Sequence, residues 1–250
     1  MSSPGRRMAR TYSIDSDSAS TRKKPKLSMA LFSMERVSKV LVIYTGGTIG
    51  MKQENGVYVP KENFLVDQLL QQPVFNDANF LEAYKEFSID EEKETHDDSA
   101  FGAGTESTRS SQTDLSRPTV LAMPEDKKGR RVVFEVLEYS PLLDSSNMTH
   151  KDYVRIANDI NTNYEEYSGF VILHGTDTMS YTASALAFML ECLGKPVILT
   201  GSQVPMFETL TDGRSNFIAA LTLAAHYCIP EVSVFFNNKL FRGCKLLVFV

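Results

Sequence analysis

Residues 40–50 read VLVIYTGGTIG. Val40, Leu41, Val42, Ile43 and Tyr44 form an unbroken apolar run rich in β-branched side chains, without the polar alternation of a half-wet strand. Such a run predicts a strand buried on both faces, and the glycines behind it predict a turn at its carboxyl end. Similar strands recur downstream. RVVFEVLEY (131–139) is β-branched and aromatic, GFVILHG (169–175) is almost wholly apolar, PVILT opens at Pro196 and EVSVFF at Glu231. Helical patterns separate them. Thr149-His150-Lys151-Asp152 has the T-x-x-D form of a capping box, and Tyr153, Ile156, Ala157, Ile160 and Tyr164 then recur at helical spacing. A strongly apolar helix is expected from about Thr178 to Leu193, ended by Gly194. Another should run from an Asp212 cap to about Cys228, stopped by Pro230. Apolar strands interleaved with helices imply a sheet covered on both faces: a doubly wound, mostly parallel α/β domain. No internal repeat is visible.

Composition bounds the remainder. The 250 residues suffice for one sizeable α/β domain and a loose tail. Apolar residues at 42% and charged residues at 23% exclude a wholly disordered or collagen-like chain. Twenty-six basic against thirty-one acidic residues leave −5, which argues against a nucleic-acid partner. No apolar run reaches roughly eighteen residues, so no membrane span is expected. Cys192, Cys228 and Cys244 are odd in number and lack C-x-x-C spacing. They read as buried thiols of a reducing compartment, not as a disulfide framework or zinc site. Residues 1–36, where Arg6, Arg7, Arg10, Arg22, Lys23, Lys24 and Lys26 lie among serines, are expected to form a disordered tail to a domain at 37–250. TRKKPKL (21–27) and the serines after Arg10 also have the composition of a nuclear address and of phosphorylation targets, but a solvated tail is the simpler reading. From about 88 to 130, Glu91, Glu92, Glu94, Asp97 and Asp98 lead into a Ser/Thr/Gly stretch, expected to be a disordered acidic insert.

Open parallel sheets bind ligands beyond the carboxyl ends of their strands. After the first strand come Thr45 and Thr48 around Gly46 and Gly47; after the second, Asp144, Ser145 and Ser146; after the third, Thr176, Asp177 and Thr178; after the fourth, GSQVP. Hydroxyls and carboxylates without a histidine pair or metal ligands suggest acyl transfer by an activated threonine. Gly46, Gly47 and Gly175 would let backbone N–H groups approach an oxyanion, and one such donor is worth ~10²–10³ in rate. Asp144 and Asp177 suit an ammonium group, while Ser145 and Ser146 suit a carboxylate. Blander readings stand beside these. A glycine turn often binds phosphate or merely turns the chain, although TGGTIG fits neither nucleotide-binding glycine pattern. His174 reads more readily as a satisfied core histidine than as a base, and Thr178 and Thr182 as ordinary helix-start residues. No G-x-S-x-G elbow is present.

At these residues a family resemblance enters. YTGGTIGM, DSSNMT, GFVILHGTDTMSYTASALAFMLE, GKPVILTGSQVP, TDGRSN and FFNNKLFRG, in this order, resemble the L-asparaginase family, most of all its type I, cytosolic-type branch. The resemblance covers roughly 40–60 and 131–243. It implies a two-domain cytoplasmic amidohydrolase that converts L-asparagine to L-aspartate and ammonia, with L-glutamine as second candidate substrate. It implies a homo-oligomer, with no metal or cofactor and with neither nucleic acid nor membrane as partner. Thr48 matches the nucleophile that forms the acyl-enzyme, and Tyr58, in GVYVP, the tyrosine of a lid. Thr176 and Asp177 match the second threonine and the aspartate that holds the substrate's α-ammonium. Asp144, Ser145 and Ser146 match the segment that holds its α-amino-acid end, with Gly47 and Gly175 beside them.

The chain departs from this pattern after FFNNKLFRG, where the family places a T-K pair. Here the sequence is Cys244-Lys245-Leu246-Leu247-Val248-Phe249-Val250, and the lysine position falls at Val248. Lys245 comes three residues early, ~10 Å away and on the opposite face of an extended segment. The smaller C-terminal domain that the resemblance implies is also absent from the chain. The expectation is therefore an incomplete form of reduced or no activity. A non-catalytic isoform that binds amino acid or assembles with complete subunits is the alternative. A third candidate is the related amidotransferase subunit that frees ammonia from glutamine for tRNA-dependent amidation; DSS and the helix motif favour a free-standing asparaginase.

Overall fold

The computed structural model describes residues 36–84 and 119–246. The expected tail, apart from Arg36, lies outside the described residues, as do most of the acidic insert and Val248. Strands β1 (Val37–Gly46), β4 (Val120–Ala122), β5 (Arg131–Leu143), β6 (Gly169–Leu173), β7 (Val197–Thr200), β8 (Val232–Phe236) and β9 (Lys239–Arg242) form one sheet in the order β4-β5-β1-β6-β7-β8-β9. The five central strands run parallel, and the two edge strands are antiparallel to their neighbours. Between β1 and β4, β2 (Lys52–Glu54) and β3 (Val57–Val59) make a separate hairpin.

The apolar run of β1 is central because both of its faces are covered. Val40, Val42 and Tyr44 pack into one layer with Leu65 and Leu69 of helix α1 (Phe64–Gln71). Phe217, Ala220 and Leu221 of α4 (Gly213–His226) complete that layer. Leu41 and Ile43 face the other way, into a layer with Ile156 and Ile160 of α2 (His150–Thr162) and Met179, Ala183 and Leu186 of α3 (Met179–Met189). Alternate side chains of a strand point to opposite faces, so this sequence needs an apolar layer on each side. The doubly wound, mostly parallel sheet is the expected one. The capping box is present: Asp152 Oδ2 accepts from the Thr149 N–H at 2.7 Å.

Several expectations are corrected. All three cysteines are exposed, not buried. Helices α3 and α4 stop at Met189 and His226, before Cys192 and Cys228, and Cys244 lies beyond β9. The apolar helix expected to reach Leu193 is thus shorter. The end of the supposed insert is ordered, because Leu121 and Ala122 bury against the sheet when β4 pairs with β5. Strand β5 runs on past Tyr139 to Leu143. Asp212 stands at the N-cap of α4, but its carboxylate accepts from the Gln203 and Val204 N–H groups instead of a helix N–H.

The Phe217 ring is fully buried against Phe75 and Phe134, with centroids at 5.3 and 5.8 Å, whereas Phe188 is 72% exposed. Phe217→Ala is expected to lower unfolding free energy by about 3–5 kcal/mol in urea titrations. Phe188→Ala should stay within about 0.5 kcal/mol of the parent.

Candidate active site

The site grows from the two glycines that end β1. Gly46 and Gly47 hold φ of 137° and 90°, conformations that L side chains rarely adopt. A Cβ on Gly46 would stand 2.2 Å from the Leu143 carbonyl oxygen, and one on Gly47 2.5 Å from the Gly175 nitrogen. The chain therefore passes between the ends of β5 and β6 in backbone contact with both. The Thr45 hydroxyl fastens the passage by donating to the Leu173 carbonyl at 2.9 Å. The next residues, Thr48–Gly50, make a single 3-10 turn that leaves Thr48 half-buried.

Beyond β5, Asp144 caps another such turn, Ser145–Asn147, by accepting from the Ser146 N–H at 3.0 Å. Beyond β6 come His174, Gly175, Thr176 and Asp177. These two loops are laced together: Thr178 Oγ1 donates to the Ser145 carbonyl at 2.7 Å, and Ser146 Oγ to Asp177 Oδ2 at 3.2 Å. Thr178 stands at the N-cap of α3, the helix start that the sequence suggested, and its side chain also ties loop to loop. Gly175 leaves room for Ser145, whose Oγ lies 2.4 Å from where a Cβ would be.

A cavity of about 280 Å³ opens at this junction. Gly47, Thr48, Asp144, Ser145, Gly175, Thr176 and Asp177 all line it. Ser146 is linked to it through Asp177. Tyr58 is not among the lining residues; it lies on β3 opposite Gln53, 39% exposed. Met51, Pro60, Leu142 and Leu143 complete the wall and were not anticipated. Their signal was adjacency: Met51 follows TGGTIG directly, and the two leucines immediately precede DSS.

Behind the wall lies a supporting layer. His174 is fully buried, with Nδ1 2.6 Å from the Gly175 carbonyl oxygen and Nε2 2.8 Å from Thr182 Oγ1. Burial pushes its pKa below the usual histidine value. Asn216 donates to the Gly201 carbonyl at 3.0 Å, which holds the GSQVP loop close behind His174. The hairpin's exit is held by β5, where Glu138 Oε1 accepts from the Asn63 N–H at 2.6 Å. Glu138 Oε2 and the hydroxyl of its register partner Tyr44 are buried without a hydrogen-bond partner. Burial, helped by the Glu62 and Asp67 carboxylates, raises the Glu138 pKa. Among the described residues no three His, Cys, Asp or Glu side chains cluster as metal ligands would. Hydroxyls from three loops, two exposed carboxylates and glycine-lined backbone converge on the cavity. That set suits a small ligand with an ammonium group and an acyl centre within reach of a hydroxyl.

Residues 39–247 match the family model for the N-terminal domain of asparaginase. The chain is 46% identical over 204 residues to a protein of Dirofilaria immitis named L-asparaginase, covering 82% of this chain and 30% of that one. It is 42% identical over 205 residues to the 60 kDa lysophospholipase of Mus musculus, covering 82% and 31%. The crystal structure of L-asparaginase I from Vibrio cholerae superposes with a TM-score of 0.56 at 42% identity, over 82% of this chain and 46% of that one. The chain thus spans less than half the length of these proteins.

Glu138 yields a pH test. Its folded-state pKa lies above the ordinary 4.5, so between those values the folded chain binds more protons, and stability falls as pH rises through that window. Glu138→Gln removes the penalty while its side-chain oxygen still accepts from Asn63. Urea unfolding should show the variant more stable than the parent at pH 7, with the advantage gone below about pH 4.5. An advantage of equal size at both pH values would contradict this account.

Proposed function

The chain belongs to the asparaginase family, and from that premise we propose that it carries the machinery for hydrolysing the side-chain amide of L-asparagine to L-aspartate and ammonia. One observation carries the reading: residues from the ends of three strands, Thr48, Asp144 with Ser145, and Thr176 with Asp177, share a single cavity of about 280 Å³. Pockets for drug-sized ligands run to roughly 300–1,000 Å³, so this one suits an amino acid.

In this reading the Thr48 hydroxyl attacks the amide carbon and gives up its proton as ammonia departs. The Thr48 ester then yields to water activated beside Thr176. Backbone N–H groups at the Gly47 and Gly175 turns stabilise the oxyanion of each tetrahedral intermediate. Asp177 and Asp144 hold the α-ammonium, while Ser145 and Ser146 donate to the α-carboxylate. Tyr58, carried on the β2–β3 hairpin, closes over the bound substrate and assists Thr48. L-Glutamine, one methylene longer, is the second candidate. A homo-oligomer in the cytoplasm, acting on a small molecule without a cofactor, completes the proposal.

The relative named as a lysophospholipase raises ester hydrolysis by the same threonine. Cavity size and the two rim carboxylates favour a zwitterionic amino acid over a lipid. A non-catalytic role, in which the chain binds amino acid or assembles with complete subunits, is the alternative. It gains some support from Lys245, which is exposed and does not line the cavity.

Ammonia release from L-asparagine is the direct measurement. Thr48→Val should reduce it by more than about 10³-fold. Asp177→Asn should weaken substrate binding roughly 10–100-fold, the equivalent of one charge-assisted bond of about 1.5–3 kcal/mol. Undiminished turnover in Thr48→Val would sink the threonine mechanism. Asparagine binding without ammonia release by the parent chain would favour the non-catalytic role.

A further inference from the structure

His174 lies outside the cavity wall, yet it is fully buried and both its ring nitrogens are engaged. A carbonyl oxygen only accepts, so Nδ1 carries the proton given to the Gly175 oxygen at 2.6 Å. Nε2 then presents a lone pair, and the Thr182 hydroxyl donates to it at 2.8 Å. Thr182 is itself fully buried, in the first turn of α3. The ring is therefore a strut between a helix of the core and the turn that carries Thr176 and Asp177.

This strut has a directional consequence. A peptide unit is planar and trans, so the Gly175 C=O and the Thr176 N–H point in opposite directions. The carbonyl points at a ring sealed in the core, which leaves the N–H on the side of the cavity that Gly175 and Thr176 line. Among the described residues that N–H has no hydrogen-bond partner. We propose that His174 is a positioning residue for acyl transfer: its Nδ1–H tautomer, fixed by the Gly175 carbonyl and braced at Nε2 by Thr182, turns the Thr176 N–H into a donor for the developing oxyanion. The inference rests on the hydrolysis proposed above and adds the group that orients one of its donors.

Electrostatics agree with a strut that stays neutral. Burial is the largest influence on the ring and disfavours its charged form, and the Gly175 bond opposes it only in part. No charged side chain contributes from any neighbouring element. A second proton would land on Nε2, where the Thr182 hydroxyl already donates.

The test combines kinetics with a readout that needs no turnover. Nitrogen-15 NMR of the folded chain at pH 7 should show His174 as the pure Nδ1–H tautomer, and Thr182→Val should keep that tautomer while shifting the Nε2 resonance as its hydrogen bond is lost. In ammonia-release assays His174→Leu should lose about 10²–10³-fold in kcat, the loss expected for one oxyanion donor, with KM within about threefold of the parent. His174→Asn, whose amide nitrogen replaces Nδ1, should recover at least tenfold of that loss. Thr182→Val should lower kcat with KM held, which keeps the idea testable if His174→Leu does not fold. The proposal is overturned by an Nε2–H tautomer, by a folded His174→Leu chain with parental kcat, or by an Asn variant no better than Leu. Should the parent release no ammonia while the tautomer pattern holds, the hydrolysis reading has failed and the strut has not.

Discussion

Two strand ends and a turn are brought together here by the absence of two side chains. At residue 47 the backbone of the chain leaving β1 runs so close to the Gly175 peptide that a single added carbon would stand 2.5 Å from its nitrogen. At residue 46 the same holds against the Leu143 carbonyl, at 2.2 Å. Contacts of this kind cannot relax by a rotamer change, because both partners are backbone. They fix the distances between the loop carrying Thr48, the loop carrying Asp144 and Ser145, and the loop carrying Thr176 and Asp177. The remaining features of the site hang on that spacing, including the lacing of Thr178 to Ser145 and of Ser146 to Asp177.

The scaffold behind this junction is built to hold it still. Strand β1 is sealed between two apolar layers, and its neighbours β5 and β6 run parallel to it, so all three deliver their carboxyl ends to one rim. Polar groups fill the space directly beneath the rim: Thr45 on the Leu173 carbonyl, His174 between Gly175 and Thr182, Asn216 on the Gly201 carbonyl. Each satisfies a backbone acceptor that burial would otherwise leave unpaired. The Tyr44 hydroxyl and Glu138 Oε2 are, with Arg214 Nε, the buried side-chain polar atoms without a partner among the described residues, and these two lie where the hairpin bearing Tyr58 is anchored. A buried polar atom without a partner is unfavourable by about 1–3 kcal/mol, so this anchor is less firmly settled than the junction it adjoins.

How much of this could be read from the chain depended on the range of the interaction. The capping box at Thr149 and Asp152 joins residues three apart, and the sequence showed it plainly. The apolar runs of β1, β5, β6, β7 and β8 announce burial on both faces without reference to any partner. Strand β4 is three residues long and exists only because β5 offers it an edge, so it was mistaken for part of an insert. Burial of the cysteines failed for a similar reason: helices that end a few residues early leave Cys192 and Cys228 in connecting segments, and Cys244 lies in an exposed turn after β9. Asp212 has the right residue type for a cap, but the loop folded back over it offered its carboxylate better-placed donors.

The sequence by itself determined the layer architecture, the glycine turn after β1 and the residue types along the rim, because strand burial and turn conformation are local properties of the chain. Only the tertiary structure decided that residues 48, 144 and 176, far apart in sequence, line one small cavity, and that Tyr58 stands off from it. It also decided the surroundings of His174. The Gly175 carbonyl beside it is local in sequence, but the hydroxyl of Thr182 reaches Nε2 only once α3 packs against the sheet.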